Sequence, residues 1–268
     1  MSKSAPKFSL LAPVGKNPQR PLFVFLPGMD GTGALFHLQL PDLQPHFDVR
    51  CLAIPKDDLS PWDTMAAQVV GLIRQEAGAK SVYLCGESFG ACLALQVVAQ
   101  APELASHLVL INSASSFHRF PWLHWLAGLT PWVLPPLYKT STLGSLPLLA
   151  NLSRMHPSTP KLLFQAMGSV SQVSAAWRLG LLSQFRLEPL HLERVKALTL
   201  LIASQADQLL PSIDEAQRLA ALLPNPRIYP LPYSGHISLL EEGISLGKIF
   251  AGVGFLPQPS GNPELVMS

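Results

Sequence analysis

The sequence predicts an α/β fold, a mostly parallel, doubly wound sheet with a helical cap inserted into it. Six continuously apolar, β-rich runs recur along the chain, with helical patterns between them. Unbroken apolarity is typical of parallel strands that are covered on both faces. The interval 117–190 then interrupts the alternation, since it has no strand-like run and holds four of the five tryptophans. This interval indicates an all-helical insertion.

The predicted strands follow one another at the spacing expected of strand–helix units. In chain order they are LFVFL (22–26), FDVRCLAI (47–54), SVYLCG (81–86), HLVLIN (107–112), LTLLIA (198–203) and RIYPL (227–231). The clearest helices are 63–78, which begins at Asp63 as an N-cap, and 212–224, which begins at Ser212. The predicted divisions are a core in two parts (20–116 and 191–254), a helical cap (117–190) and flexible tails (1–19 and 255–268).

Composition narrows the function classes. The chain has 268 residues, of which 48% are hydrophobic and 13% charged, with a formal net charge of +2. It has no basic stripe, so we expect no nucleic-acid partner. The three cysteines, Cys51, Cys85 and Cys92, lack metal-ligand spacing and are predicted to be reduced core residues rather than ligands or a disulfide. The start has no apolar run of signal-peptide length, which favours a reducing, cytoplasmic compartment.

A glycine-flanked serine follows the third predicted strand. In LCGESFGA (84–91), Gly86, Ser88 and Gly90 stand at alternate positions just before a helical run. This is the context of a nucleophile elbow, a strained turn that lifts the serine hydroxyl out of the sheet edge and leaves no room for neighbouring side chains. The amide of Phe89 then lies at a helix N-terminus, where it can donate to an oxyanion. We therefore predict that Ser88 is a nucleophile.

A serine nucleophile needs a base that is held in place by an acid. On this architecture the chain order is serine, acid, histidine. Downstream of Ser88, only His236, in YSGHISLLEE, follows the last predicted strand. Asp207 is the one carboxylate in the loop after LTLLIA, whereas Asp214 and Glu215 come later, on the next helix. Ser88, Asp207 and His236 are therefore the predicted triad.

The loop after the first predicted strand offers a second oxyanion donor. It reads LPGMDGTGALF (26–36), and its glycines let the backbone approach the site. The amide of Met29 is the candidate, and Asp30 is expected to turn away and hold the amides of its own loop. A phosphate-binding loop is excluded because neither G-K-[ST] nor G-x-G-x-x-G is present. No metal-ligand spacing is seen, and no cofactor or metal is expected.

Together these residues resemble the α/β-hydrolase superfamily, and more closely the hydrolase part of phytyl ester synthase/diacylglycerol acyltransferase-like esterases of plants and cyanobacteria. The matching motifs, in order over roughly 22–250, are FLPGMDGTG, CLAIP, GESFGACLAL, INSASSF, DQLLPS and SGHISLLEEGISL. The resemblance implies an α/β-hydrolase fold, the triad Ser88, Asp207 and His236, and long-chain acyl esters, phytyl esters or thioesters as substrates. Plant members also carry an acyltransferase-like module with an H-x-x-x-x-D motif. This chain has no room for it, which favours hydrolysis over acyl transfer.

One stretch of the insertion nearly reaches membrane-spanning length. FPWLHWLAGLTPWVLPPLY (120–138) has no formal charge, but four prolines divide it, so short amphipathic helices are predicted instead of a transmembrane helix. Trp122, Trp125 and Trp132 lie in it and are candidate substrate-binding residues of a cap that contacts a membrane surface peripherally. Packing of the insertion onto the core and a dimer interface are the alternatives, and the sequence predicts no oligomeric state.

Two other functions fit the same triad. A C–C lyase or synthase of the menaquinone-pathway type would handle a polycarboxylate and need arginines. The insertion contains four of them, Arg119, Arg154, Arg178 and Arg186. A receptor that keeps the triad but turns a hydrophobic ligand over slowly is the non-enzyme alternative.

Overall fold

A seven-stranded sheet forms the centre of the protein in the computed structural model, which describes residues 7–121 and 152–257. Its strand order is β1-β3-β2-β4-β5-β6-β7, and every neighbouring pair is parallel except β1 with β3. The strands are β1 (Ser9–Leu11), β2 (Leu22–Leu26), β3 (Asp48–Ala53), β4 (Val82–Glu87), β5 (His107–Ile111), β6 (Leu198–Ser204) and β7 (Pro226–Leu231). The predicted α/β fold class and all six predicted strands are confirmed.

Helices pack on both faces of this sheet. The described α-helices are α1 (Leu40–Leu43), α2 (Trp62–Ala77), α3 (Phe89–Gln100), α4 (Thr159–Gly168), α5 (Gln172–Gln184), α6 (Ser212–Ala220) and α7 (Leu246–Val253). Short 3-10 helices cover Ala34–Gln39, Ala114–Arg119, Leu152–Arg154, Glu188–Leu190, Leu192–Arg194 and Ser238–Leu240.

Burial on both faces explains why the strands are apolar without alternation. All five residues of β2 are buried. Leu22, Val24 and Leu26 point into a core shared with α2 and α3, whereas Phe23 and Phe25 point into a second core on the opposite face, shared with α7. Because both faces of the sheet are packed, the loops at the carboxyl ends of its strands start from fixed positions. Cys51, Cys85 and Cys92 are free and buried in these cores, as expected.

Three details differ from the sequence-based expectation. The segment 1–19 was expected to be a flexible tail, but Ser9–Leu11 form the edge strand β1, paired with β3. Although Phe8, Leu10 and Leu11 are apolar, a strand of three residues is too short to show a recognisable pattern. Phe255, assigned to the other tail, is buried against His107. Asp63 is not the N-cap of α2, because the helix begins at Trp62 with Pro61 before it, and Asp63 lies in the first turn.

The described part of 117–190 is helical. Apart from an isolated bridge between Met155 and Glu241, it contains α4, α5 and short 3-10 turns. Trp122, Trp125 and Trp132, the candidate cap residues, lie outside the described residues. Within 7–121 and 152–257, no helix combines the length and apolarity that crossing a bilayer requires.

Candidate active site

Ser88 occupies a strained turn between β4 and α3. Its backbone has φ +54° and ψ −113°, a region that non-glycine residues rarely adopt. The strain is maintained by neighbouring structure, since the Ser88 amide donates to the carbonyl of Ile111 at 2.9 Å and the Ser88 carbonyl accepts from Ala91 at 3.1 Å. The turn therefore holds Ser88 at the carboxyl edge of the sheet.

The two glycines beside Ser88 are required by close backbone contacts. A Cβ atom on Gly86 would lie 2.3 Å from the carbonyl oxygen of Gly90, and one on Gly90 would lie 2.0 Å from the carbonyl oxygen of Leu26. Both distances are far inside van der Waals contact. The start of α3 thus packs directly on the backbone of β2, and this spacing explains the glycine–serine–glycine pattern.

We expect Gly90→Ala to destabilise the protein by about 3 kcal/mol, at the upper end of the usual cost of overpacking, because the new methyl group would meet the central strand β2 rather than a movable side chain. Urea unfolding followed by circular dichroism measures the change. Gly71→Ala in α2 is the matched control, since nothing lies within 4 Å of its Cβ position, and it should be neutral or slightly stabilising. Equal stability of the two variants would contradict the steric interpretation.

Ser88, His236 and Asp207 are in hydrogen-bonding contact. His236 Nε2 lies 2.8 Å from Ser88 Oγ, and His236 Nδ1 lies 2.7 Å from Asp207 Oδ2. The side chains of His236 and Asp207 are 2% and 1% exposed. Three loops at the carboxyl edge of the sheet thus bring the three predicted residues together, although Ser88 and His236 are 148 positions apart in the sequence.

Asp207 is held by the beginning of the following helix. Its Oδ1 accepts hydrogen bonds from the amides of Leu209 at 2.9 Å and Leu210 at 3.0 Å, and its Oδ2 accepts one from the hydroxyl of Ser212. Burial by itself would raise the pKa of Asp207, but His236 and these donors hold it below its usual value. Asp207 is therefore a carboxylate that stays ionised. Ser212, predicted only as the start of a helix, is a site residue that sequence analysis missed.

His236 has an increased affinity for a proton. Burial disfavours the imidazolium, yet the charge of Asp207 and its hydrogen bond to the ring raise the pKa of His236 above its usual value. A buried imidazole with a raised pKa, hydrogen-bonded to a hydroxyl, is suited to accept the proton of that hydroxyl.

Asn112 is a second residue that sequence analysis missed. It follows β5 with φ +44° and is buried. Its Nδ2 donates to the carbonyl oxygen of His236 at 2.6 Å and to Ser204 Oγ at 2.9 Å, while its Oδ1 accepts from the Ser204 amide at 2.8 Å. Asn112 therefore fixes the histidine loop to the end of β6. The available signal was a polar residue at the carboxyl end of a buried strand.

The two predicted oxyanion donors flank Ser88. Phe89 is the first residue of α3, and Met29 lies in the 28–31 turn, closed by a 3.1 Å hydrogen bond from the Gly31 amide to the Gly28 carbonyl. A Cβ on Gly28 would be 3.9 Å from Ser88 Cβ, so this turn lies beside the serine. Neither amide hydrogen is bonded to any of the described residues. Both are free to bind a substrate oxygen.

Asp30 binds an amide of its own loop, as predicted. Its Oδ2 accepts hydrogen bonds from both the amide and the hydroxyl of Thr32. The carboxylate is thereby used within its own loop.

Glu87, the residue before Ser88, is a buried carboxyl group. Its Oε1 has no hydrogen-bond partner among the described residues, and burial raises its pKa to about 8. At neutral pH this carboxyl group is therefore mostly protonated in the folded protein. Sequence analysis treated Glu87 only as a position within the serine motif.

We expect Glu87→Gln to stabilise the protein increasingly as the pH rises. The folded pKa of about 8 lies above the ordinary 4.5, so the contribution of Glu87 to stability is complete below pH 4.5 and is lost as the pH approaches 8. Glutamine resembles the protonated form and loses no proton. The free energy of unfolding of the variant relative to wild type should rise by about 3 kcal/mol between pH 5 and pH 8.

Urea unfolding at several pH values measures this difference. Glu242→Gln is the matched control, because Glu242 is exposed, and its difference from wild type should stay constant with pH. A constant difference for Glu87→Gln as well would show that Glu87 is ionised in the folded protein.

The fold and these motifs agree with comparisons to known proteins. Residues 21–243 match the family model described as the alpha/beta hydrolase fold. Phytyl ester synthase 1, chloroplastic, of Arabidopsis thaliana is 34% identical over 259 residues, covering 87% of this chain and 37% of that protein. Phytyl ester synthase 2, chloroplastic, of the same plant is 28% identical, covering 85% and 37%. The chain thus spans well under half the length of these relatives.

Solved structures show the same fold. The structure of MenH from S. aureus superimposes with a TM-score of 0.73 at 19% identity, covering 92% of this chain and 97% of that one. At this level of identity the likeness concerns the fold alone.

Proposed function

Because this chain belongs to the α/β-hydrolase fold family, we propose that it is a serine esterase that hydrolyses long-chain acyl esters or thioesters through an acyl-enzyme. The observation that carries the proposal is the continuous hydrogen-bonded line from Ser88 Oγ through His236 to Asp207, with distances of 2.8 and 2.7 Å. A serine, a buried base and an ionised acid in this order form the arrangement needed to activate a hydroxyl nucleophile.

In the first half-reaction, His236 Nε2 takes the proton of Ser88 Oγ while Oγ attacks the carbonyl carbon of the substrate. The negative charge that develops on the carbonyl oxygen is stabilised by the amides of Met29 and Phe89. The imidazolium then donates its proton to the departing alkoxide or thiolate, which leaves the acyl group on Ser88. Asp207 stays ionised throughout and stabilises the charged imidazole.

In the second half-reaction, His236 takes a proton from water, and the resulting hydroxide attacks the acyl-enzyme. A second tetrahedral intermediate forms at the same oxyanion site. Its collapse returns the proton to Ser88 Oγ and releases the carboxylic acid. An alcohol in place of water would give acyl transfer by the same steps, and we propose this as a minor route.

Apolar surface on the insertion supports an acyl substrate. Phe164 on α4, and Val173 and Trp177 on α5, are 50%, 66% and 40% exposed. The neighbouring sequence 120–138 carries no formal charge. We propose that 117–190 is a cap over the acyl chain and that it contacts the surface of an intracellular membrane peripherally. Trp122, Trp125 and Trp132 are proposed parts of that cap.

Three of the four arginines of the insertion argue against a polycarboxylate substrate, while the fourth, Arg119, is exposed. Arg154 pairs with Glu241 at 3.1 Å, Arg178 is buried and binds backbone carbonyls, and Arg186 donates to the carbonyls of its own helix end. These three guanidinium groups already have protein partners. The synthase alternative therefore receives no support from them.

A series of nitrophenyl esters from acetyl to palmitoyl tests the proposal. We expect steady turnover, with kcat/KM highest for a medium or long chain, and covalent labelling of Ser88 by a fluorophosphonate. A synthase would leave all of these esters nearly untouched. A slow receptor would release one equivalent of nitrophenol and then stall. Either result would overturn the esterase proposal.

A further inference from the structure

Arg178 is a charged side chain in the interior of the protein. It lies on α5, in the interval 117–190, and only 1% of its surface is exposed. Arginine is almost never fully buried unless it is paired, because removing its charge from water is costly. Its surroundings should therefore show what it does.

The guanidinium of Arg178 binds backbone carbonyls instead of a carboxylate. Nη1 donates to the carbonyl oxygen of Met29 at 2.6 Å, and Nη2 donates to that of Pro55 at 3.4 Å. Nε has no partner among the described residues. Asp58 and Asp30 are near enough to favour its charge, but neither is hydrogen-bonded to it. Arg178 therefore has no hydrogen-bonded carboxylate and one unused donor, whereas a buried arginine with a purely structural role normally has all its donors paired.

Arg178 contacts both residues whose amides are the oxyanion donors. Besides binding the Met29 carbonyl, its guanidinium carbon lies 5.9 Å from the centre of the Phe89 ring. This distance is within the range of a cation–π contact. One side chain of the insertion thus joins the 28–31 turn to the beginning of α3.

The turn is also held at Gly31, whose amide binds the Gly28 carbonyl and whose carbonyl accepts a hydrogen bond from the Ile54 amide at 2.7 Å, but among the described residues only Arg178 binds the backbone of Met29. Glycine stands at both of its ends, and Gly31 has φ +68°. A Cβ on Gly31 would lie 2.7 Å from Arg178 Nη1, so the guanidinium packs directly against the turn. The Met29 carbonyl belongs to the peptide plane after this residue and its amide to the plane before it, so fixing the carbonyl restricts the ψ rotation of Met29 and limits how far the two planes can turn relative to each other. Donors that are fixed before the reaction stabilise a developing charge better than donors that must reorient.

We propose that Arg178 is a positioning residue for the oxyanion site, which holds the amides of Met29 and Phe89 in the orientation that binds the tetrahedral intermediate. The inference rests on the proposed function. It also gives the insertion a part in catalysis, because α5 supplies the group that orders the site.

The test compares Arg178→Met and Arg178→Lys with wild type. Arg186→Met is the matched control, because Arg186 is an exposed arginine just after the end of the same helix. Each protein is assayed for kcat and KM with a nitrophenyl ester and for inhibition by an alkyl boronic acid, which forms a tetrahedral adduct with the serine. Titration with a fluorophosphonate counts the folded, competent sites, so kcat is expressed per site.

For Arg178→Met we expect kcat to fall by about 10- to 100-fold, less than the loss of an oxyanion donor itself. KM should change by less than about threefold, since positioning affects the transition state rather than substrate binding. Boronate affinity should fall in parallel with kcat. Arg178→Lys keeps a charge and one donor and should recover part of both losses, while Arg186→Met should match wild type.

The inference is wrong if both Arg178 variants keep the kcat per site and the boronate affinity of wild type. It is also wrong if only KM changes. If Arg178→Met fails to fold, the lysine variant decides alone. If the lysine variant also fails to fold, Arg178 is a structural residue and the inference is wrong. Failure of the proposed function is recognised separately, because wild type would then neither hydrolyse an ester nor be labelled.

Discussion

Ser88→Ala should lower kcat/KM for ester hydrolysis by about 10⁴-fold or more and leave the protein folded. The variant lacks the Oγ atom that lies 2.8 Å from His236 Nε2 and that we propose as the nucleophile. Alanine fits the turn sterically, since it is smaller than serine and adopts the same backbone conformation at no greater cost. Loss of activity with unchanged stability would therefore separate chemistry from folding.

Ester hydrolysis, fluorophosphonate labelling and urea unfolding measure these effects together. Ser81→Ala is the matched control, because Ser81 is exposed and lies just before the same strand, at its opposite end. It should keep full activity. If Ser88→Ala retained more than a tenth of wild-type activity, another residue would be the nucleophile.

Asp207→Asn should lower kcat by about 10⁴-fold, nearly as much as loss of the serine. An amide NH₂ group facing Nδ1 of His236 favours the tautomer with the proton on Nε2, which cannot accept the proton of Ser88. Removing the carboxylate charge also removes what raises the pKa of His236. The acidic limb of the residual kcat/KM profile should therefore move to lower pH.

Asp214→Asn is the control for this change. Asp214 is exposed in the first turn of α6, where a negative charge suits the helix dipole, so the variant should be nearly silent in activity. The pH–rate profiles of both variants and wild type give the comparison. A larger loss for Asp214→Asn than for Asp207→Asn would move the acid onto the helix.

The sequence predicted the parts of the site that local pattern and chain order determine. Ser88 was recognisable because its glycine neighbours record a backbone contact, and Asp207 and His236 because each follows a strand that ends at the same edge. Their roles stay proposals, but their meeting in space agrees with this reasoning. The parallel strands could also be predicted, since a strand that is covered on both faces has an unbroken run of apolar residues.

What could not be predicted depends on side-chain contacts, most of them between segments that are distant in the sequence. Asn112 and Ser212 resemble ordinary loop and cap residues until their side chains are seen to reach His236 and Asp207. In the sequence Arg178 is one of four arginines of the insertion, and only the structure shows that its guanidinium contacts the 28–31 turn. The raised pKa of Glu87 likewise results from its burial in the folded protein, which the adjacent residues in the sequence do not reveal.

The separation of Ser88 and His236 by 148 positions has a consequence for how activity arises during folding. Closing so long a loop is slow compared with forming helices, because non-local contacts are made only after much chain entropy has been lost. The hydrogen bond from Asn112 to the carbonyl of His236 also joins residues that are 124 positions apart. In a refolding experiment, the helical circular dichroism signal should therefore recover before reactivity towards a fluorophosphonate. Recovery of activity would then measure when the loops that carry Ser88 and His236 come together.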